Sequence, residues 1–196
     1  MMLDIIRKTR TVRKFQEGIK IPRETLLELV DLARLGGSAR NSQPLCYMLI
    51  TDREQCDKLF PLLGWAGYLT DWPGPKPGER PVAYILCLLD TKRCKGPENE
   101  ALFDLGIASQ NILLGATERG IFGCRIGAFS KDAVGRIFAL EDWYKPLLVL
   151  ALGYPAEKVV IEEMRQDGDV RYWRDAEGVH HVPKRPLSDI VLMSGS

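Results

Sequence analysis

From Val82 to Leu89 the chain is apolar without a break. The run is far shorter than the roughly 20 residues that cross a bilayer, so it reads as a buried strand, as does Leu147 to Leu152. Helical spacing surrounds these strands. Between Pro22 and Leu35 the residues Leu26, Leu27, Leu29, Val30 and Ala33 fall at helical intervals, and Gly36-Gly37 stops the pattern. From Asn99 to Arg119 a long helix is apolar over much of its circumference, as a central or interface helix would be, and Gly120 ends it. Further strands are expected at Cys46–Thr51 and Ile121–Ala128. Asp52 and Gln55 resemble a capping box opening a helix to about Leu63; Ser130 caps another, and Leu3, Ile5 and Ile6 suggest a short amphipathic helix at the start. This alternation places the chain in an α/β or α+β class, and 196 residues suit one domain over the whole length, with its core in 3–155.

Composition narrows the partners. The chain is 45% hydrophobic and 27% charged, with a formal net charge of +1, which is no electrostatic footprint for nucleic acid or an acidic membrane. The five cysteines are odd in number and never in C-x-x-C spacing, so neither a disulfide framework nor a metal site is indicated. A cytoplasmic location is the simplest expectation. Asp4 breaks the opening apolar stretch, and no long apolar leader core follows it.

Two regions lack clear periodicity. Between Gly64 and Pro81, Trp65, Tyr68 and Trp72 are interleaved with glycines and prolines, which predicts an aromatic loop: either a lid over a pocket or a surface loop pinned by its aromatics. Residues 156–196 read as a charged tail with Trp173, packing on the domain or on a second subunit.

Three segments carry binding chemistry. Arg10-Thr11-Val12-Arg13 offers two guanidiniums and a hydroxyl, suited to an anion such as phosphate. Ser38-Ala39-Arg40-Asn41-Ser42-Gln43-Pro44 packs hydroxyl, guanidinium and amide groups into a turn before a strand, and Asn and Gln suit a heterocycle edge that alternates donors and acceptors. Gly120 to Phe129 brackets a strand with glycines that permit close approach of a planar ligand. Each has a plainer reading: a solvated basic cluster, ordinary turn chemistry and common strand-end glycines. His180 and His181, adjacent on an extended segment, point to opposite faces and read as surface histidines. Cys124 reads as a small buried hydrophobe, and Asp104 as a carboxylate satisfied by a cap or an arginine. No P-loop, dinucleotide fingerprint or Ser-His-Asp arrangement is present.

In order, Arg10 to Phe15, Ser38 to Pro44, Gly120 to Phe129 and Leu150-Ala151-Leu152-Gly153-Tyr154-Pro155 resemble the nitroreductase family of flavoproteins, a match that runs from residue 5 to 155. The resemblance implies an α+β fold, an α/β/α sandwich with a mainly antiparallel central sheet. It also implies a homodimer with FMN at its interface and NADH or NADPH as electron donor. Arg10, Thr11 and Arg13 match the N-terminal flavin motif. Ser38, Ala39, Arg40, Asn41 and Gln43 match a turn that reaches the ribityl chain and ring from the partner subunit. Ile126 and Gly127 match the strand over the ring, with the Gly127 backbone near flavin N5, and Lys184 and Arg185 match a basic tail at the phosphate.

The chain departs from the pattern at Gly37, in place of a proline, at Leu45, in place of an aromatic, and at Arg125, often a tryptophan. Family members move a hydride from NAD(P)H through the flavin to a nitroaromatic, quinone or related acceptor, with no catalytic side chain required. A flavin carrier or redox sensor, or specialised chemistry such as dehalogenation or flavin fragmentation, fits the same residues. A plain anion-binding domain fits the arginines alone.

Overall fold

The computed structural model describes residues 1–192. Strands β1 (Leu45–Ile50), β2 (Ala83–Asp90), β3 (Phe122–Ile126) and β4 (Tyr144–Gly153) form one sheet in the order β1-β2-β4-β3, each neighbouring pair antiparallel. The apolar run from Val82 supplies β2, which is buried along its full length. Its alternate side chains feed two different cores. Ala83, Ile85 and Cys87 pack with helix α2 (Arg23–Arg34) and helix α4 (Glu100–Glu118), whereas Tyr84, Leu86 and Leu88 pack with α3 (Arg53–Leu59) and α5 (Lys131–Ile137). The result is a sheet covered by helices on both faces, the α+β sandwich expected.

Local chemistry sets the element ends. Asp52 accepts a hydrogen bond from the Gln55 amide at 3.0 Å to start α3, and Ser130 accepts from the Ala133 amide at 3.3 Å to start α5. The helix expected to continue to Leu63 stops at Leu59 and tightens into a single 3-10 turn, Phe60–Leu62, where Pro61 has no amide to donate. Strand β4 is longer than its apolar run. It tolerates Pro146 because that residue lies beyond the stretch paired with β3, beside a bulge at Cys87/Leu88.

The first helix, α1 (Met2–Lys8), buries none of its residues, and Leu3 and Ile6 are exposed. The outer side of α4 likewise exposes Leu102, Phe103 and Ile107.

The tail is more ordered than its sequence suggested. Strands β5 (Val159–Glu163), β6 (Trp173–Arg174) and β7 (His180–Lys184) form a second sheet with β7 in the middle, parallel to β5 and antiparallel to β6. It meets the aromatic loop directly: Tyr172 contacts Tyr68 edge-on at 5.1 Å, and the Arg174 guanidinium lies 4.4 Å above the Trp72 ring.

Candidate functional site

The arginine segment leaves α1 and runs alongside β3. Thr11 forms a parallel bridge with Gly123, and the Val12 amide donates to the Gly123 carbonyl at 3.1 Å. Only glycine fits at 123, where a Cβ would lie 2.6 Å from the Leu152 side chain and 2.7 Å from the Ala151 carbonyl oxygen. Alternation along the segment buries Val12 and leaves Thr11 exposed.

Arg13 is buried beneath the tail. Its guanidinium sits 4.8 Å from the centre of the Tyr172 ring, with Nη1 3.3 Å from His180 Nε2. The Arg13 and Lys14 amides both donate to Glu157, at 2.5 and 3.1 Å, and the same carboxylate pairs with Arg174 at 2.8 Å. Arg10 donates from Nη2 to the Ile6 carbonyl at 2.8 Å, and burial pulls its pKa below the usual arginine value. The Nε atoms of Arg10 and Arg13 are buried without a partner. Among the described residues neither guanidinium is ion-paired.

The Ser38–Pro44 turn follows α2 and is strained. Arg40, Asn41 and Gln43 adopt φ of 54°, 49° and 47°, a left-handed region that non-glycine residues rarely occupy. Asp104, buried on α4, holds it by accepting from the Ser38 hydroxyl at 2.6 Å and the Ala39 amide at 2.9 Å. Ser38 Oγ in turn accepts from the Gln43 amide at 3.0 Å, and Gln43 Nε2 donates to Asn41 Oδ1 at 3.1 Å. Arg40 donates to both oxygens of Glu100, at 3.0 and 3.1 Å. A cavity of about 430 Å³ opens beside the turn, lined by Ser38, Gln43, Tyr47 and Asp104 among others.

At the end of β3, Ile126 is buried and Gly127 is exposed, with nothing within 4 Å of where a Cβ would stand. The aromatic loop starts here, its Gly64 amide donating to the Ala128 carbonyl at 2.7 Å.

Within one chain these pieces fall into two groups. The arginine segment and the β3 glycines are side by side at one edge of the sheet, whereas the Ser38–Pro44 turn leads into β1 at the other edge. Three strand spacings, about 14 Å, separate β1 from β3. Lys184 and Arg185 are exposed at the far end of β7. His180, about 13 Å earlier along that strand, is the β7 residue that touches Arg13.

Two readings need correction. His180 is fully buried rather than on the surface; burial, with the Arg13 charge second, lowers its pKa to about 4. His181 is half-buried, stacked 4.1 Å from Trp173 and bonded to Asp175 at 3.0 Å and to Glu162, contacts that raise its pKa. Both positions belong to a strand that the charged sequence around them concealed. Asp104 is satisfied as expected of it, by cap-like donors, and its role in shaping the turn emerges only from the three-dimensional contact. Tyr172 and Glu157 around Arg13 carried no sequence signal of their own. Cys124 is buried, and desolvation raises its thiol pKa, as befits a packing residue.

Comparison with known proteins gives a consistent assignment. The sequence pattern of the Nitroreductase family matches residues 6–68 and 71–154. A Methanothermobacter thermautotrophicus protein, provisionally named NADH dehydrogenase/NAD(P)H nitroreductase, is 30% identical over 160 residues, covering 80% of this chain and 78% of its own. The NfrA1 nitroreductase of Bacillus subtilis superposes with a TM-score of 0.67 at 22% identity, over 80% of this chain and 67% of that one. An FMN-dependent nitroreductase of Clostridium difficile superposes with a TM-score of 0.63 at 19% identity, covering 80% and 88%.

Proposed function

This chain belongs to the nitroreductase family and is an NAD(P)H oxidoreductase of it; from that premise we propose that it binds FMN between two copies of itself, in the cytoplasm, and reduces a nitroaromatic, quinone or related acceptor. The observation that carries the reading is the division of the candidate site between opposite edges of one sheet. A two-fold axis that sets the Ser38–Pro44 edge of one chain against the β3 edge of another completes two equivalent sites at once. The exposed apolar residues Leu102, Phe103 and Ile107 on α4, with Leu3 and Ile6 on α1, supply a surface suited to that pairing.

The residues fit a flavin mononucleotide. Arg10 and Arg13 present buried Nε donors without partners and positive charge without a carboxylate, as a phosphate and a carbonyl-bearing ring edge require. Thr11 is exposed beside them, whereas Lys184 and Arg185, at the far end of β7 from the Arg13 contact, do not join this group within one chain. The open space at Gly127 lets a planar ring approach the backbone, with Ile126 packed beneath it. From the second chain, Ser38, the Ala39 backbone, Arg40, Asn41 and Gln43 would reach the ribityl chain and ring, in a conformation already fixed by Asp104 and Glu100. When bound, FMN supplies the chemistry, accepting a hydride from the nicotinamide and delivering it to the acceptor. The protein's own contribution is position and charge: guanidiniums offset the anionic cofactor, and the Gly127 amide offers a donor at the ring.

The direct test is purification without added cofactor, followed by measurement of flavin content and of mass in solution. Yellow dimers with bound FMN are expected; monomers that take up no FMN contradict the proposal.

A further inference from the structure

Arg125 lies on β3 two residues before Gly127, on the same side of the extended chain and about 7 Å from it. Its guanidinium is held in place without any anion. Nε donates to Ser109 Oγ at 3.0 Å and Nη2 to Gln110 Oε1 at 2.6 Å, both neutral groups on α4. Among the described residues no carboxylate lies within ion-pair distance of it. Burial also keeps the two thiols nearest its charge protonated, with Cys87 pushed up to about 12 and Cys124 raised. Arg125 is exposed at the edge of the sheet, and the partial burial of its side chain pulls its own pKa down.

An arginine fixed by two hydrogen bonds to neutral groups and without a counter-ion is prepared to receive an anion from the solvent it faces, because much of the side-chain ordering is already complete. We infer that Arg125 selects acceptors that carry an anionic substituent, such as a carboxylate, engaging that substituent while the reducible group sits over the open face at Gly127. The inference rests on the proposed seat of FMN against Gly127. Arg125 itself transfers no electrons. For a nitro acceptor, NAD(P)H gives up a hydride and solvent a proton, the nitro group becomes nitroso with loss of one oxygen as water, and the nicotinamide leaves oxidised. The carboxylate keeps its charge throughout, so its contact with Arg125 contributes binding and orientation only.

The test compares 4-nitrobenzoate with 4-nitrobenzamide as acceptors for FMN-loaded wild type, Arg125→Gln and Arg125→Lys, and titrates each protein with benzoate and benzamide by calorimetry. The wild type is expected to bind benzoate more tightly than benzamide. Arg125→Gln is expected to lower the benzoate-to-benzamide ratio of kcat/KM about tenfold or more, and Arg125→Lys to restore part of it. A wild type that binds benzoate no better than benzamide overturns the inference without reference to any variant, as does an unchanged kcat/KM ratio in Arg125→Gln. A change confined to the preference for NADPH over NADH also overturns it, by assigning the anion to the electron donor. Protein that takes up no flavin refutes the proposed function itself, whereas yellow, active protein with no acceptor preference refutes the role of Arg125 alone.

Discussion

Asp104 fixes Ser38 across 66 residues of sequence, accepting its hydroxyl at 2.6 Å while taking the Ala39 amide at 2.9 Å. One buried carboxylate thereby stabilises a turn with three left-handed non-glycine residues. Asp104→Ala strands both donors, and charge-assisted hydrogen bonds of this kind contribute about 2 kcal/mol each. Asp104→Ala is therefore expected to lower stability by about 4 kcal/mol in urea unfolding and to weaken FMN binding at least tenfold. Asp104→Asn, which retains one acceptor, is expected to fall between it and wild type.

The contact between the arginine segment and β3 depends on Gly123. Gly123→Ala forces a methyl against Leu152 and the Ala151 carbonyl, an overpacking that costs about 1–3 kcal/mol. The accompanying displacement of Thr11 and Val12 should appear as lost FMN affinity, read by fluorescence titration, beyond any loss shown by an equally destabilising substitution in α3.

The tail gives stability a pH dependence of opposite sign at its two histidines. His181 has a raised folded-state pKa, so its stabilisation is complete below the unfolded value of 6.5 and is lost as pH rises through the folded value. His180 has a folded-state pKa lowered to about 4, so the unfolded chain takes up the proton first and stability falls as pH drops from 6.5 toward 4. Melting temperatures measured from about pH 4 to well above pH 6.5 are expected to show His181→Gln flattening the alkaline decline and His180→Gln flattening the acid one. A slope unchanged in either variant contradicts the corresponding assignment.

Phe103 and Ile107 present apolar surface on α4 that a single chain leaves uncovered. The double substitution Phe103→Glu and Ile107→Glu is expected to yield a folded monomer by light scattering, with far-ultraviolet circular dichroism preserved and flavin absent. A monomer that keeps FMN would contradict a site shared between chains.

The elements set by local chemistry were legible in sequence: β2 from its unbroken apolar run, α4 from its spacing and Gly120, α3 from Asp52 and Gln55. The binding segments were legible as residue types in order. Their grouping was not, because strand order decides which edge each segment occupies, and no local period encodes the sequence β1-β2-β4-β3. The tail sheet stayed hidden for a related reason. Glu162, Glu163 and Lys184 make β5 and β7 look like solvated chain, and their parallel pairing joins Val159 to His180 across an intervening stretch. The surroundings of Arg13 and the role of Asp104 are likewise long-range contacts, which periodicity does not report.

The central claim is a flavin-dependent oxidoreductase whose cofactor is reduced by a nicotinamide. Its most direct test is the visible absorption spectrum of the purified, FMN-loaded protein during anaerobic titration with NADH and with NADPH. The flavin bands are expected to bleach with one equivalent of the preferred donor and to return on addition of a nitroaromatic or quinone. Protein that binds no FMN, or bound flavin that neither nicotinamide reduces, would contradict the account.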